Sequence, residues 1–302
     1  MSAQRWRRWG AAVGAYALAS MSWTAAATPL LDDRGRAIAS AQAPQRIVSL
    51  LPSLTETVCA LGACDKLVGT DRYSNWPAEP LRHVAKVGGG LDPHIEAIVA
   101  LQPDVVLLSH SSKLVQRLET LGLRTVVLEP RTQADVQRVL QAVGQLLHVP
   151  PEAGAQRVWR QMQAGIDAAV QSLPAGVAGA SVYFEVSRGP FAAGPSSFLG
   201  ELLTRMGMRN IVPQSMGAFP RLNPEWVVRA QPDVILRGNE SMQSADLYPG
   251  WDTLAAVREQ RICQFDAAAS DVLVRPGPRM DEVARLMADC LRRKAPRRGA
   301  HD

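Results

Sequence analysis

Arg46-Ile47-Val48-Ser49-Leu50-Leu51-Pro52-Ser53-Leu54-Thr55-Glu56 sets the fold class. Arg46 to Leu50 reads as a strand. Pro52 breaks it, and Ser53-Leu54-Thr55-Glu56 reads as a capping box opening a helix that Gly62 closes. The same pattern continues downstream. Residues 67–69 read as strand, 104–108 as a continuous apolar run of the kind buried in a parallel sheet, 113–121 as helix, 125–128 as strand and 134–147 as helix. Strand and helix alternate, which predicts an α/β fold with parallel sheets. Residues 152–172 then read as one long helix with Val158, Met162, Ile166 and Val170 on one face. After Pro174 the alternation resumes, with strands at 181–186, 234–236 and 261–265 and helices at 197–206 and 280–291. At 302 residues the chain is long enough for two cores. The expectation is two α/β lobes, 44–148 and 175–294, joined by a connecting helix within 149–174. The ligand cleft lies between lobes that move little.

An internal repeat supports two lobes. Leu91-Asp92-Pro93 precedes a short helix and then Gln102-Pro103-Asp104-Val105, while Leu222-Asn223-Pro224 precedes another and then Gln231-Pro232-Asp233-Val234. Glu96 and Glu225 each lie six residues before their Gln. Both belong in a first helical turn, where the macrodipole favours a carboxylate. First-turn preference explains either Glu alone; it explains the matched spacing less well.

The two ends carry the positive charge. Arg5, Arg7 and Arg8 precede a short apolar run and Ala25-Ala26-Ala27, the pattern of a cleaved signal peptide over 1–27. Arg297 and Arg298 sit in a basic tail at 295–302 that follows Arg292, Arg293 and Lys294. The formal net charge of +5 comes from these segments, and the body between them is slightly acidic. A nucleic-acid binder carries its charge on the folded face, so that class is not expected. No cysteine precedes Cys59, so the reading is a soluble, exported periplasmic protein rather than a lipoprotein. Cys59–Cys64 and Cys263–Cys290 disulfides fit that compartment, with buried free thiols as the alternative.

Catalytic signatures are missing: no H-E-x-x-H, no Walker loop, no G-x-G-x-x-G and no G-x-S-x-G. Gly88-Gly89-Gly90 reads as a tight loop rather than a phosphate cradle. The histidines (His83, His94, His110, His148 and His301) show no ligand spacing, so no metal site is expected. Acids of the 266–271 loop, Asp266 and Asp271, leave an exported hydrolase as the reading of another class. Tyr73-Ser74-Asn75-Trp76-Pro77 and Phe184-Glu185 follow or end strands, where open α/β sheets place ligands, and the rings suit a large, partly apolar one.

Taken in order, 46–56, Leu67-Val68-Gly69-Thr70-Asp71, Tyr73-Ser74, Val87-Gly88-Gly89, Glu96, Leu101-Gln102-Pro103-Asp104 and Trp251 resemble the helical-backbone substrate-binding proteins of ABC importers. The class covers cobalamin, iron–siderophores and haem, and its cobalamin-binding branch is the most similar. The likeness spans roughly 44–293. It implies a monomeric binder, not an enzyme, that carries a small-molecule corrinoid, cobalamin, as cargo to a permease dimer, with no resident cofactor. A ferric siderophore or haem is the alternative cargo. Clustered arginines would suit an anionic chelate, and Arg188, Arg221, Arg237 and Arg275 could supply them. By the resemblance, Tyr73 contacts the corrin. Asp271-Val272-Leu273-Val274-Arg275 forms the second lobe's binding loop. Glu185 is expected in the ligand site from its place at a strand end. Glu96 and Glu225 dock on permease arginines. Gly90 and Ser109 stand where cobalamin-binding members carry tryptophan, and the middle of 271–275 lacks their aromatic pair.

Overall fold

The computed structural model describes residues 30–38, 40–89, 92–110, 114–238 and 248–297. The expected signal peptide, Gly90, Leu91 and the end of the basic tail lie outside them.

The first lobe runs β1 (Ile47–Ser49), α1 (Pro52–Ala60), β2 (Leu67–Thr70), α2 (Ala78–Leu81), β3 (Ala85–Lys86), α3 (Ile95–Ala100), β4 (Val105–Leu108), α4 (Val115–Thr120), β5 (Thr125–Val127) and α5 (Gln133–Leu146). Its five strands lie in the order β3-β2-β1-β4-β5, all parallel. Such a sheet is covered on both faces, which is why β1 and β4 are buried throughout.

One helix, α6 (Ala155–Gln171), links the lobes. It starts later than the sequence pattern suggested. The Pro150 carbonyl accepts the Ala153 and Gly154 amides, so 150–154 forms turns before the helix begins.

The second lobe contains β6 (Ser181–Ser187), β7 (Phe191–Ala192), α7 (Phe198–Arg205), β8 (Arg209–Asn210), α8 (Pro224–Ala230), β9 (Val234–Arg237), α9 (Ala255–Arg258), β10 (Ile262–Gln264), α10 (Ala267–Leu273) and α11 (Met280–Lys294). Strands β8, β6, β9 and β10 are parallel and repeat the order β2, β1, β4, β5 of the first lobe. Strand β7 pairs antiparallel with β6, so this sheet is mixed, not wholly parallel as expected. The hairpin turns at Arg188-Gly189-Pro190, where Gly189 has φ +128°.

The Gln-Pro-Asp repeat does the same work twice. Gln102 and Gln231 both end their helices in the left-handed region, at φ 45° and 43°. Asp104 then exchanges hydrogen bonds with Arg46: its amide donates to the Arg46 carbonyl at 2.8 Å and its carboxylate accepts the Arg46 amide at 2.9 Å. Asp233 does the same with Ser181, at 2.8 and 2.7 Å. Each Asp thus fixes the start of a central strand against its neighbour.

Three apolar clusters form among the described residues. One packs under the outer face of each sheet, around Val48, Val106 and Ile98 in the first lobe and around Tyr183, Ile235 and Trp251 in the second. The largest runs from the first lobe (Ile47, Leu54, Leu107) through Ile166 on α6 to Phe184, Met287 and Leu291. The lobes therefore share one continuous core along α6. Cys59–Cys64 and Cys263–Cys290 are both paired, with Cα atoms 4.2 and 5.9 Å apart. The second ties β10 to α11.

The expected capping box is not formed. Leu51 is the N-cap and makes no side-chain cap, Pro52 occupies the first turn, and Ser53 and Glu56 are buried. With Pro52 inside the helix, the start moves upstream and Glu56 is carried past the first turn.

Candidate functional site

A cavity of about 420 Å³ opens between the lobes. It lies in the range of small-molecule sites, roughly 300–1,000 Å³. Tyr73 faces it from the first lobe. Val186, Phe198, Phe219, Ala267 and Val274 supply the apolar wall from the second. Tyr73, Phe219 and Val274 are exposed, at 59%, 41% and 51%. Large apolar groups held open to solvent in a concave site mark a surface made to be covered.

Tyr73 is held from below. Asp71, fully buried at the end of β2, accepts the Tyr73 amide at 2.8 Å, the Ser74 amide at 3.1 Å and the Ser74 hydroxyl. Ser74 shares a hydrogen bond with Thr55 on α1, and Lys86 donates to the Ser74 carbonyl and to Thr70. Burial pushes the Asp71 carboxyl above its ordinary value, against hydrogen bonds from Ser74 and Tyr73 that pull it down. The same loop meets the second lobe through Asn75, which donates to Asp271 at 2.7 Å and accepts from Arg275 at 2.7 Å.

Of the residues expected to bind ligand, Tyr73, Asp271 and Val274 line this cavity. The others do not. Residues 271–273 are not loop but the end of α10, with Val274 and Arg275 just past it, and the N-terminus of that helix is capped by Asp266 accepting the Ala269 amide at 2.8 Å. Helical periodicity turns Val272 and Leu273 into the central core. Arg275 is buried beneath the cavity on Glu56. Glu185 is wholly buried on the same side of β6 as Tyr183, paired with Arg237 at 3.1 Å and accepting Tyr248 Oη at 2.7 Å. Of the rings near the second sheet, Phe184 packs on Phe265 in the core.

Phe219, Phe198 and the 186–187 strand end were not foreseen. Phe219 sits in an irregular stretch between Gly217 and Pro220, and its only sequence signal is an aromatic in a glycine- and proline-punctuated loop. Among the described residues, no three His, Cys, Asp or Glu gather as metal ligands. None of their helices is long and apolar enough to cross a membrane.

Glu96 and Glu225 lie elsewhere, in the first turns of α3 and α8, and both are exposed. Asn223 caps α8 by accepting the Glu225 amide at 2.9 Å. Trp251 supports the same turn, donating from Nε1 to the Pro224 carbonyl at 3.2 Å. Gly88 and Gly89 form the tight loop expected of them. A Cβ on Gly89 would meet Asp92 Oδ1 at 2.1 Å.

Comparison with known proteins decides the family. The family model described as periplasmic binding protein matches residues 47–269, most of the chain and both lobes. The chain belongs to the periplasmic binding protein family. One relative is the uncharacterized ABC transporter substrate-binding lipoprotein YvrC of Bacillus subtilis, 26% identical, with 82% of this chain and 80% of that protein covered. Another is the vitamin B12-binding protein of Pectobacterium atrosepticum, 25% identical over 78% of this chain and 85% of that one. Among solved structures, the apo form of the periplasmic haem-binding protein RhuT from Roseiflexus sp. RS-1 superposes with a TM-score of 0.71, 25% identity and coverage of 83% and 99%. The periplasmic vitamin B12-binding protein BtuF of Vibrio cholerae gives 0.66, 25%, and 82% and 96%. Family members bind substrates for ABC transporters, and the two-lobe architecture with its helical connection is that of these neighbours.

Proposed function

We propose that the chain is a monomeric receptor that captures a corrinoid in the interlobe cavity and delivers it to the permease dimer of an ABC importer. The corrinoid is cargo, not a cofactor. The carrying observation is the cavity itself: exposed Tyr73 opposite Phe219 and Val274, with Asp271 as the one charged lining residue among the described residues. Such a wall suits the flat, largely apolar face of a macrocycle, with polar edges left in water. Relatives named for cobalamin and vitamin B12 support the reading.

The ferric-siderophore alternative calls for free arginines, and the four candidates are engaged elsewhere. Arg237 and Arg275 are buried on Glu185 and Glu56, Arg188 stacks on Tyr248 with 5.4 Å to the ring centre, and Arg221 donates to the Gly189 carbonyl. Haem keeps support from neighbours such as RhuT, and Tyr73 is the exposed phenol that would meet it. The hydrolase reading weakens because both its acids have structural duties, Asp266 as a cap and Asp271 on Asn75 and Arg275.

Titration of the mature chain with cyanocobalamin and with haemin, followed by absorbance, tests the proposal. Saturable one-to-one binding of cyanocobalamin, stronger than of haemin, is expected. Haemin bound tightly and cyanocobalamin not at all would transfer the site to the alternative.

A further inference from the structure

We infer that Glu56, Arg275 and Arg279 form a latch across the cleft floor that holds the lobes closed independently of α6. Glu56 comes from α1 of the first lobe; both arginines come from the α10–α11 junction of the second. Arg279 grips the carboxylate with two hydrogen bonds, Nη2 to Oε1 at 2.6 Å and Nε to Oε2 at 3.0 Å. Arg275 adds a third, Nη1 to Oε1 at 3.1 Å. Glu56 is 1% exposed and Arg275 6%. Arg275 also donates to the Tyr73 carbonyl at 2.9 Å and to Asn75, so the latch reaches the loop that presents Tyr73. The Arg279 guanidinium lies 4.7 Å from the centre of the Trp76 ring. The two segments also run close together here: a Cβ on Gly277 would sit in ordinary contact with Ser53, 3.4 Å from its Cβ and 3.5 Å from its carbonyl oxygen.

The arrangement resists gradual opening. Buried ions are tolerated when paired and fully hydrogen-bonded, and separating them while they remain out of water is costly. A slightly parted cleft would strand a carboxylate and two guanidiniums in that condition. The lobes are therefore closed, or parted far enough for water to enter, with a barrier between. Arg275 and Asp271 act on the ligand site as positioning residues through Tyr73 and Asn75, which replaces the direct ligand role expected for Arg275. The inference deepens the receptor reading, but its test needs no ligand.

Spin labels at exposed Glu79 of the first lobe and Ala268 of the second, introduced as unnatural amino acids in the full disulfide-bonded chain, report lobe separation by pulsed electron resonance. Glu56→Gln keeps the side-chain shape and removes its charge. The ligand-free variant should show a distance distribution broadened and shifted to longer values. Asn75→Ala, at an exposed position, removes two of the cross-lobe hydrogen bonds and should give a smaller shift; it decides alone if Glu56→Gln does not fold. Native-like distributions in the folded variants would overturn the latch. A shift in a protein that binds no cyanocobalamin would leave the latch standing and sink only the corrinoid reading.

Discussion

At the scale of single residues, Tyr73 and Asp71 have opposite relations to solvent, and each predicts something different. Tyr73 offers an exposed ring to the cavity. Stacking of a ligand on it contributes about 1 kcal/mol beyond area burial, so Tyr73→Ala should weaken cyanocobalamin binding about fivefold or more in the absorbance titration. Unchanged affinity would remove Tyr73 from the site. Asp71, just below, is buried with a carboxyl raised above its ordinary value, first by desolvation. A raised carboxyl favours the neutral form in the folded state. Its contribution to stability is full below the ordinary carboxylate value and is lost as pH rises through the raised one. Asp71→Asn cannot titrate. Urea unfolding at stepped pH should show native stability falling relative to the variant across that window and then levelling. A flat or rising difference contradicts the burial argument. Glu56 shows why single residues mislead in sequence. Three positions after a serine, it fits a capping box, yet Pro52 shifts the helix start and puts it on arginines more than two hundred residues away.

At the scale of elements, legibility follows burial. β1, β4 and β9 read correctly because strands covered on both faces are continuous apolar runs. The helices α5 and α11, and α6 apart from its start, read correctly because their apolar stripes face the shared core. The two-residue strands β3, β7 and β8 carry no pattern of their own; pairing with a formed sheet creates them. Residues 266–273 read as loop in the sequence because the helix is short and ends at a Pro-Gly-Pro stretch, although Asp266 and three alanines start a helix there. Cys263–Cys290 ties β10 to α11 across 27 residues, whereas Cys59–Cys64 closes only five. In the chain-entropy account the longer bridge contributes about 3–4 kcal/mol and the shorter about 2 kcal/mol. The Cys263→Ala/Cys290→Ala pair should therefore lower the urea midpoint more than Cys59→Ala/Cys64→Ala. The reverse order would show that local packing at α1 outweighs loop closure.

At the scale of the molecule, a duplicated α/β lobe is fused along α6 into one core, with the ligand cavity on one side and the paired glutamates in equivalent turns of α3 and α8. A single chain that repeats itself can present matching groups to both halves of a two-fold permease. Exposed ion pairs contribute roughly 0–1 kcal/mol, but pairs desolvated in an interface lose about 2–5 kcal/mol when one partner is truncated. Glu96→Ala/Glu225→Ala should leave folding and cyanocobalamin affinity intact while sharply reducing permease binding and uptake. Normal transport, or lost ligand affinity instead, would refute the docking assignment. The central claim is that the interlobe cavity holds a corrinoid through Tyr73. Native mass spectrometry of the protein isolated from its own cell envelope tests it most directly. The account predicts a retained species of corrinoid mass, diminished in Tyr73→Ala. Retained haem or an iron chelate, or a corrinoid undiminished in that variant, would contradict it.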